Sequence, residues 1–217
     1  MKEPISVYWK IRLEKVAEAL EKNNFQVYIA ESGEAAKALL LDTLIPEAGP
    51  RVLSWGGSMT LFDTGILKAV AQMDHIEIIN PSAKGLSKEE QYQKRREALL
   101  SDLFLTGTNA VTEKGHLVNL DMIGNRIAGL TFGPREVVVM VGRNKIVPDL
   151  ESAMRRIKDF AAPVNTMRLD KKTPCRKTAA CQDCSSPDRI CNTWTITEKS
   201  FPPKRVKVVL IHEDLGY

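Results

Sequence analysis

Apolar residues recur at three- and four-residue spacing at the start of the chain, where Trp9, Leu13, Val16 and Leu20 alternate with Lys and Glu. That spacing lines one face of an amphipathic helix, which Asn23-Asn24 is placed to end. FQVYIA (25–30) reads as a short strand, Glu34 to Leu44 as a helix ended before Pro46, and RVLSW (51–55) as a second strand. Gly56-Gly57 then opens a helix carrying Phe62, Ile66, Leu67 and Val70. IEIIN (76–80), a charged helix from Ser87 to Leu100 and DLFLTG (102–107) continue the alternation. Strands alternating with helices of about ten to fifteen residues predict an α/β fold, a mostly parallel sheet with helices on both faces.

Beyond Gly107 the pattern tightens. TNAVTEKGHLVNLDMIGNR predicts a hairpin turning at Glu113-Lys114-Gly115, followed by a short helix over Arg126–Leu130. The unbroken apolar run VVVMVG (137–142) predicts a strand buried on both faces. Pro148 begins a helix with Leu150, Ala153, Ile157 and Ala161 on one side. Residues 163–204 differ in kind, with five of the eleven prolines and all four cysteines, and 205–217 returns to strand character and to the main sheet. The chain of 217 residues therefore reads as one domain with a cysteine-containing excursion.

Composition narrows the function. The 43% apolar and 27% charged content is that of an ordinary globular protein. The net charge of +4 suits an anionic small molecule but is too weak to argue for nucleic acid. No apolar run reaches membrane-spanning length and the N-terminus is no secretory signal, so the expected location is cytoplasmic. In a reducing compartment, clustered cysteines suit a metal better than disulfides.

Three turns carry the candidate chemistry. In SWGGSMTLFDTG (54–65) the backbone of Gly56 and Gly57 and the hydroxyls of Ser58 and Thr60 are placed to hold a phosphate or carboxylate, although Thr60 to Asp63 equally fits a capping box. In 106–126, Gly107, Thr108, Asn109, Asn119, Gly124, Asn125 and Arg126 either build tight turns or line a polar site at a strand's carboxyl end. Glu113 is the expected acid, base or nucleophile there. In VGRNKIV (141–147), Asn144 and Lys145 add a third strand-end turn, the lysine suited to an anion or simply solvated.

Four thiols, Cys175, Cys181, Cys184 and Cys191, fall within seventeen residues in a x5, x2, x6 spacing. Gathering them favours a cation, with the neighbouring Arg176, Lys177 and Arg189 favouring thiolates. Only Cys181–Cys184 forms a tight knuckle, where structural zinc commonly uses two. The order nearly mirrors the cluster loop of endonuclease-III-type glycosylases, and [4Fe–4S] is favoured over zinc; free thiols or a labile disulfide are the alternatives.

The run LTGTNAVTEKGHLVNLDMIGNRIAGLTFGPREVVVMVGRNKIV, with GGSMTLFDTG before it and PCRKTAACQDCSSPDRIC after it, resembles the YkgG-like branch of the LUD (lactate utilisation) domain family over essentially the whole chain. The resemblance implies a fold like that of glucosamine-phosphate deaminase, ribose-phosphate isomerase and CoA-transferases. It further implies a role in oxidising lactate or a related hydroxyacid beside iron–sulfur oxidoreductase subunits. An iron–sulfur electron-transfer or assembly subunit without turnover of its own is the alternative. The central run also resembles the methylthioribose-phosphate isomerase group, with Asn109 where that group has a catalytic aspartate. Thr112-Glu113-Lys114-Gly115 is the nearest match to the Glu-Thr-Gly turn of longer family members.

Overall fold

In the computed structural model, which describes residues 2–217, the expected alternation of strands and helices is realised. Ten strands follow in chain order: β1 (Gln26–Ala30), β2 (Val52–Trp55), β3 (Glu77–Ile79), β4 (Leu103–Gly107), β5 (Ala110–Thr112), β6 (Leu117–Asp121), β7 (Glu136–Gly142), β8 (Ile146–Val147), β9 (Thr193–Thr197) and β10 (Val206–Ile211). Six of them form one large sheet in the order β3-β2-β4-β7-β10-β1, every pair parallel. Successive residues of a strand point to opposite faces, and β7 shows why its sequence is apolar throughout. Val138 and Met140 share one core with Ala36, Leu61 and Ile66, which come from the helices Gly33–Leu39, Met59–Asp63 and Ile66–Val70. Val137, Val139 and Val141 point the other way, into the core that the helix Lys2–Lys22 closes with Leu13, Val16 and Leu20.

A second, smaller sheet stands beyond the carboxyl end of β4, in the order β8-β5-β6-β9. The expected hairpin is its centre, β5 antiparallel to β6. One face (Val111, Leu117, Ile146) shares the core under the first helix, and the other (Ala110, Val118, Leu120, Val147) packs on Ala153 and Ile157.

Several boundaries differ from those the sequence predicts. The second helix does not stop before Pro46: a π-helical turn over Leu40–Leu44 leads into Ile45–Ala48, and the chain leaves at Gly49 in the left-handed region. The helix expected after Gly57 is two short ones, broken at Gly65 (φ 70°), and Phe62 is exposed. The helix after Pro148 runs on through a second π-helical turn, Ile157–Ala161, to Arg168. The excursion contributes β9, antiparallel to β6, which its proline-rich surroundings conceal. Residues 205–217 do return to the main sheet, but inside it, β10 lying between β1 and β7.

Candidate functional site

Open parallel sheets bind ligands where neighbouring strands send the chain in opposite directions. Here β2 leads outward to β3 while β4 leads the other way to β7, so the crevice opens above the carboxyl ends of β2 and β4. A cleft of about 300 Å³ lies there, at the lower end of the range for small-molecule sites. Trp55, Gly57 and Ser58 line it from β2, and Gly107, Thr108 and Asn109 from β4. Close approach of the two turns favours glycine at 107, because a Cβ there would stand 2.5 Å from Ser58 Oγ and the hydroxyl would have to turn away.

Arg126 holds the far wall together. Its Nε donates to Asp121 at 3.0 Å, and its two terminal nitrogens donate to Asn119 Oδ1 at 2.6 Å, Asn109 Oδ1 at 2.9 Å and the carbonyls of Gly107 and Leu120 at 3.3 Å. Asp121 also accepts from the backbone of Ile123 and Gly124, forming the turn into the helix Asn125–Thr131. The guanidinium is thus a structural brace with one flank on the cleft, and the polar density of 106–126 serves turn-building and site-lining together.

Lys145 is the most unusual group on the wall. Only 3% exposed, it donates to Thr60 Oγ1 at 2.8 Å, while the Thr60 hydroxyl donates to the Leu215 carbonyl. Asp63 is the carboxylate that acts on it, but it accepts from the Gly216 amide, and no carboxylate among the described residues forms an ion pair with the lysine. Burial, helped by the nearby Arg156 and Arg126 guanidiniums and only weakly opposed by Asp63, pulls its pKa down to about 7. Arg156 is itself drawn down to about 10 by burial and ties the carbonyls of Asn109 and Asn144 together. Asn144 pins the C-terminal segment, accepting from Leu215 N and donating to the Gly216 carbonyl. Tyr217 is thereby set on the cleft rim, its hydroxyl 3.3 Å from Asn165.

Of the residues expected from sequence, Gly57, Ser58, Gly107, Thr108, Asn109, Asn125, Arg126 and Lys145 therefore meet at one cleft. Gly56, Thr60, Asn119, Gly124 and Asn144 stand behind them as supports and do not line it. Ser58, not Thr60, caps the helix Met59–Asp63, its hydroxyl accepting from Leu61 N. Glu113 lies away from the cleft lining, in the hairpin turn, where its carboxylate pairs with Arg12 at 2.6 Å. The sequence carries no sign of Arg95, Arg168 and Tyr217 as lining residues: Arg95 sits in a charged helix that reads as solvated surface, and Arg168 is a single charge at a helix end.

The cysteines meet elsewhere. All four are free thiols, and all four border one small cavity of about 20 Å³ behind the cleft. Arg189 folds the loop, donating to the Cys184 carbonyl at 2.6 Å and the Cys191 carbonyl at 2.9 Å. Among the described residues no group of three His, Cys, Asp or Glu side chains is arranged to hold a metal ion. Basic neighbours do not dominate the thiol of Cys191: burial is the largest influence and, with the neighbouring thiols Cys181 and Cys175, pushes it up despite Lys158 and Arg189. No helix of the described residues is long and apolar enough to cross a membrane.

A family model described as the LUD domain matches residues 13–211. Among solved structures, a protein of Deinococcus radiodurans described as a DUF162 family protein is similar, with a TM-score of 0.52 at 14% identity, over 94% of this chain and 98% of that chain. No curated protein matches the sequence.

Proposed function

This chain belongs to the LUD domain family, and we propose that its cleft binds a small organic anion, a 2-hydroxy or 2-oxo acid such as lactate or pyruvate. The protein would serve the oxidation of lactate or a related hydroxyacid as the ligand-binding component beside iron–sulfur oxidoreductase subunits. One observation carries the reading: a buried lysine on the cleft wall, with two guanidiniums nearby and no ion-paired carboxylate among the described residues. Leaving such a charge uncompensated is unfavourable, and an anion in the cleft relieves it. Asn109 and Asn125, on the same lining, are placed to read hydroxyl or carbonyl oxygens.

Lys145 also supplies a proton carrier, because an amine with its pKa near working pH exchanges protons readily. Anion binding needs the ammonium, so affinity is expected to strengthen as pH falls from about 8 to about 6. Calorimetric titration with lactate, pyruvate, a sugar phosphate and a CoA ester tests the class, with lactamide as the uncharged control. Saturable binding of the hydroxy or oxo acid and none of lactamide is expected. Absence of saturable binding by every anion removes the reading.

A further inference from the structure

We propose that the four cysteines form a thiophilic metal centre whose occupancy shapes the wall of the ligand cleft. The cavity is bordered by thiols that arrive from four positions: Cys175 on the one-turn helix Pro174–Thr178, Cys181 and Cys184 on the following loop, and Cys191 at the approach to β9. Its volume of about 20 Å³ is enough for one water-sized body, so a single ion fits the space as it stands and a cluster needs the loop to widen.

Hydrogen-bond donors and two cations lie around the sulfurs. Hydroxyls of Thr173 and Thr166 lie 3.3 and 3.6 Å from Cys175 Sγ, and the Asp183 amide donates to Cys181 Sγ at 3.5 Å. Lys158 and Arg189 border the same space, held in place by Asp183 at 2.9 Å from each. The loop from Ala180 to Asn192 has no helix or strand of its own, so polar contacts and not a sheet order it. A metal bond would supply what a hydrophobic core supplies elsewhere.

The two anchors differ from the two knuckle cysteines. Cys175 is buried, and Cys191 packs against the second sheet beside Trp194. Forming a metal site therefore requires the cysteine loop to rearrange, since the thiols are not arranged as a ligand set. That movement reaches the cleft. Ala162, Ile190 and Cys191 line both spaces. Asn192 donates through its backbone N–H to the Asp121 carbonyl and through its side chain to the Met122 carbonyl. Asp121 is the carboxylate that Arg126 holds.

The coupling to ligand affinity rests on the proposed anion site; the metal centre does not. Anaerobic purification with iron, zinc and acid-labile sulfide analysis separates the two sources of the centre: brown protein with sulfide marks an iron–sulfur cluster, colourless protein with one zinc per chain a single ion. Either is expected to be lost in Cys181→Ser/Cys184→Ser, with circular dichroism confirming that the fold persists. Metal-free protein that takes up neither zinc nor reconstituted iron–sulfide, or that holds disulfides, overturns the proposal. Hydrogen exchange is expected to slow on metal loading both at 181–191 and at 121–124; protection confined to the cysteine loop overturns the coupling. Pyruvate affinity is expected to change about fivefold or more between loaded and chelated protein. Metal uptake without pyruvate binding breaks the anion reading alone, whereas unchanged pyruvate affinity breaks the coupling.

Discussion

The cleft and the cysteine cavity share a wall but are held open by different means. Around the cleft, turns leave the ends of hydrogen-bonded parallel strands, and Arg126 joins Gly107, Asn109, Asn119, Leu120 and Asp121. Around the cysteines, a loop without strands is folded largely by Arg189 and Asp183. The first site is preorganised by the sheet; the second is a loop held by polar contacts of Arg189 and Asp183, which the proposed metal would tighten. Rigid scaffold and adaptable wall are thus adjacent, an arrangement that lets one ligand influence another.

The largest difference between the two regions is expected at their arginine braces. Arg126→Met takes the paired cation from Asp121 and one donor from each of two asparagine oxygens, which keep backbone and hydroxyl donors. A loss of about 3 kcal/mol is therefore expected in urea unfolding, at the low end for broken buried pairs. Arg189→Met, at the more exposed brace, is expected to cost about 1 kcal/mol in metal-free protein. Equal losses at the two positions would mean that cleft and loop are equally preorganised.

Lys145→Met tests the cleft alone. Pyruvate affinity is expected to fall about tenfold or more, corresponding to roughly 1.4 kcal/mol. Stability is expected to move the other way. With a folded pKa of about 7 against an ordinary 10.5, the folded state binds fewer protons than the unfolded state between those values, so stability rises with pH across that window. Below about 7 the ammonium is charged in both states and the penalty of burying it is fully present. Unfolding midpoints measured from pH about 6 to about 10 are expected to show the rise in the parent and a flatter profile in Lys145→Met.

Gly107→Ala forces the Ser58 hydroxyl to turn away and surrender its helix cap, an expected cost of about 1 kcal/mol with weakened pyruvate binding. The smallest effect is expected at Glu113→Gln, which breaks only a half-exposed pair with Arg12 in the hairpin turn. Titration is expected to find pyruvate affinity unchanged within about twofold. A large loss would return Glu113 to the site.

Legibility follows the physics of each segment. β7 is readable because a strand buried on both faces must be apolar throughout, and the first helix because one buried stripe imposes its period. β9 is hidden because a half-exposed edge strand needs no such pattern. Lys145 is identifiable as a candidate, but its burial is not, since that depends on Thr60 and Leu215, distant in sequence. Glu113 is misplaced by proximity along the chain: three residues of strand from Ala110 onward carry it away from the strand end by roughly 10 Å.

Hydrophobic period, glycine placement and cysteine spacing are local properties. The α/β alternation, the three strand-end turns and the clustering of four thiols are therefore written in the chain's own order of residues. Three other outcomes needed the folded molecule: that β10 enters between β1 and β7, that Arg126 is mostly a brace, and that the thiols face one cavity behind the cleft. Those depend on which distant surfaces meet, and a residue's neighbours along the chain carry no record of them.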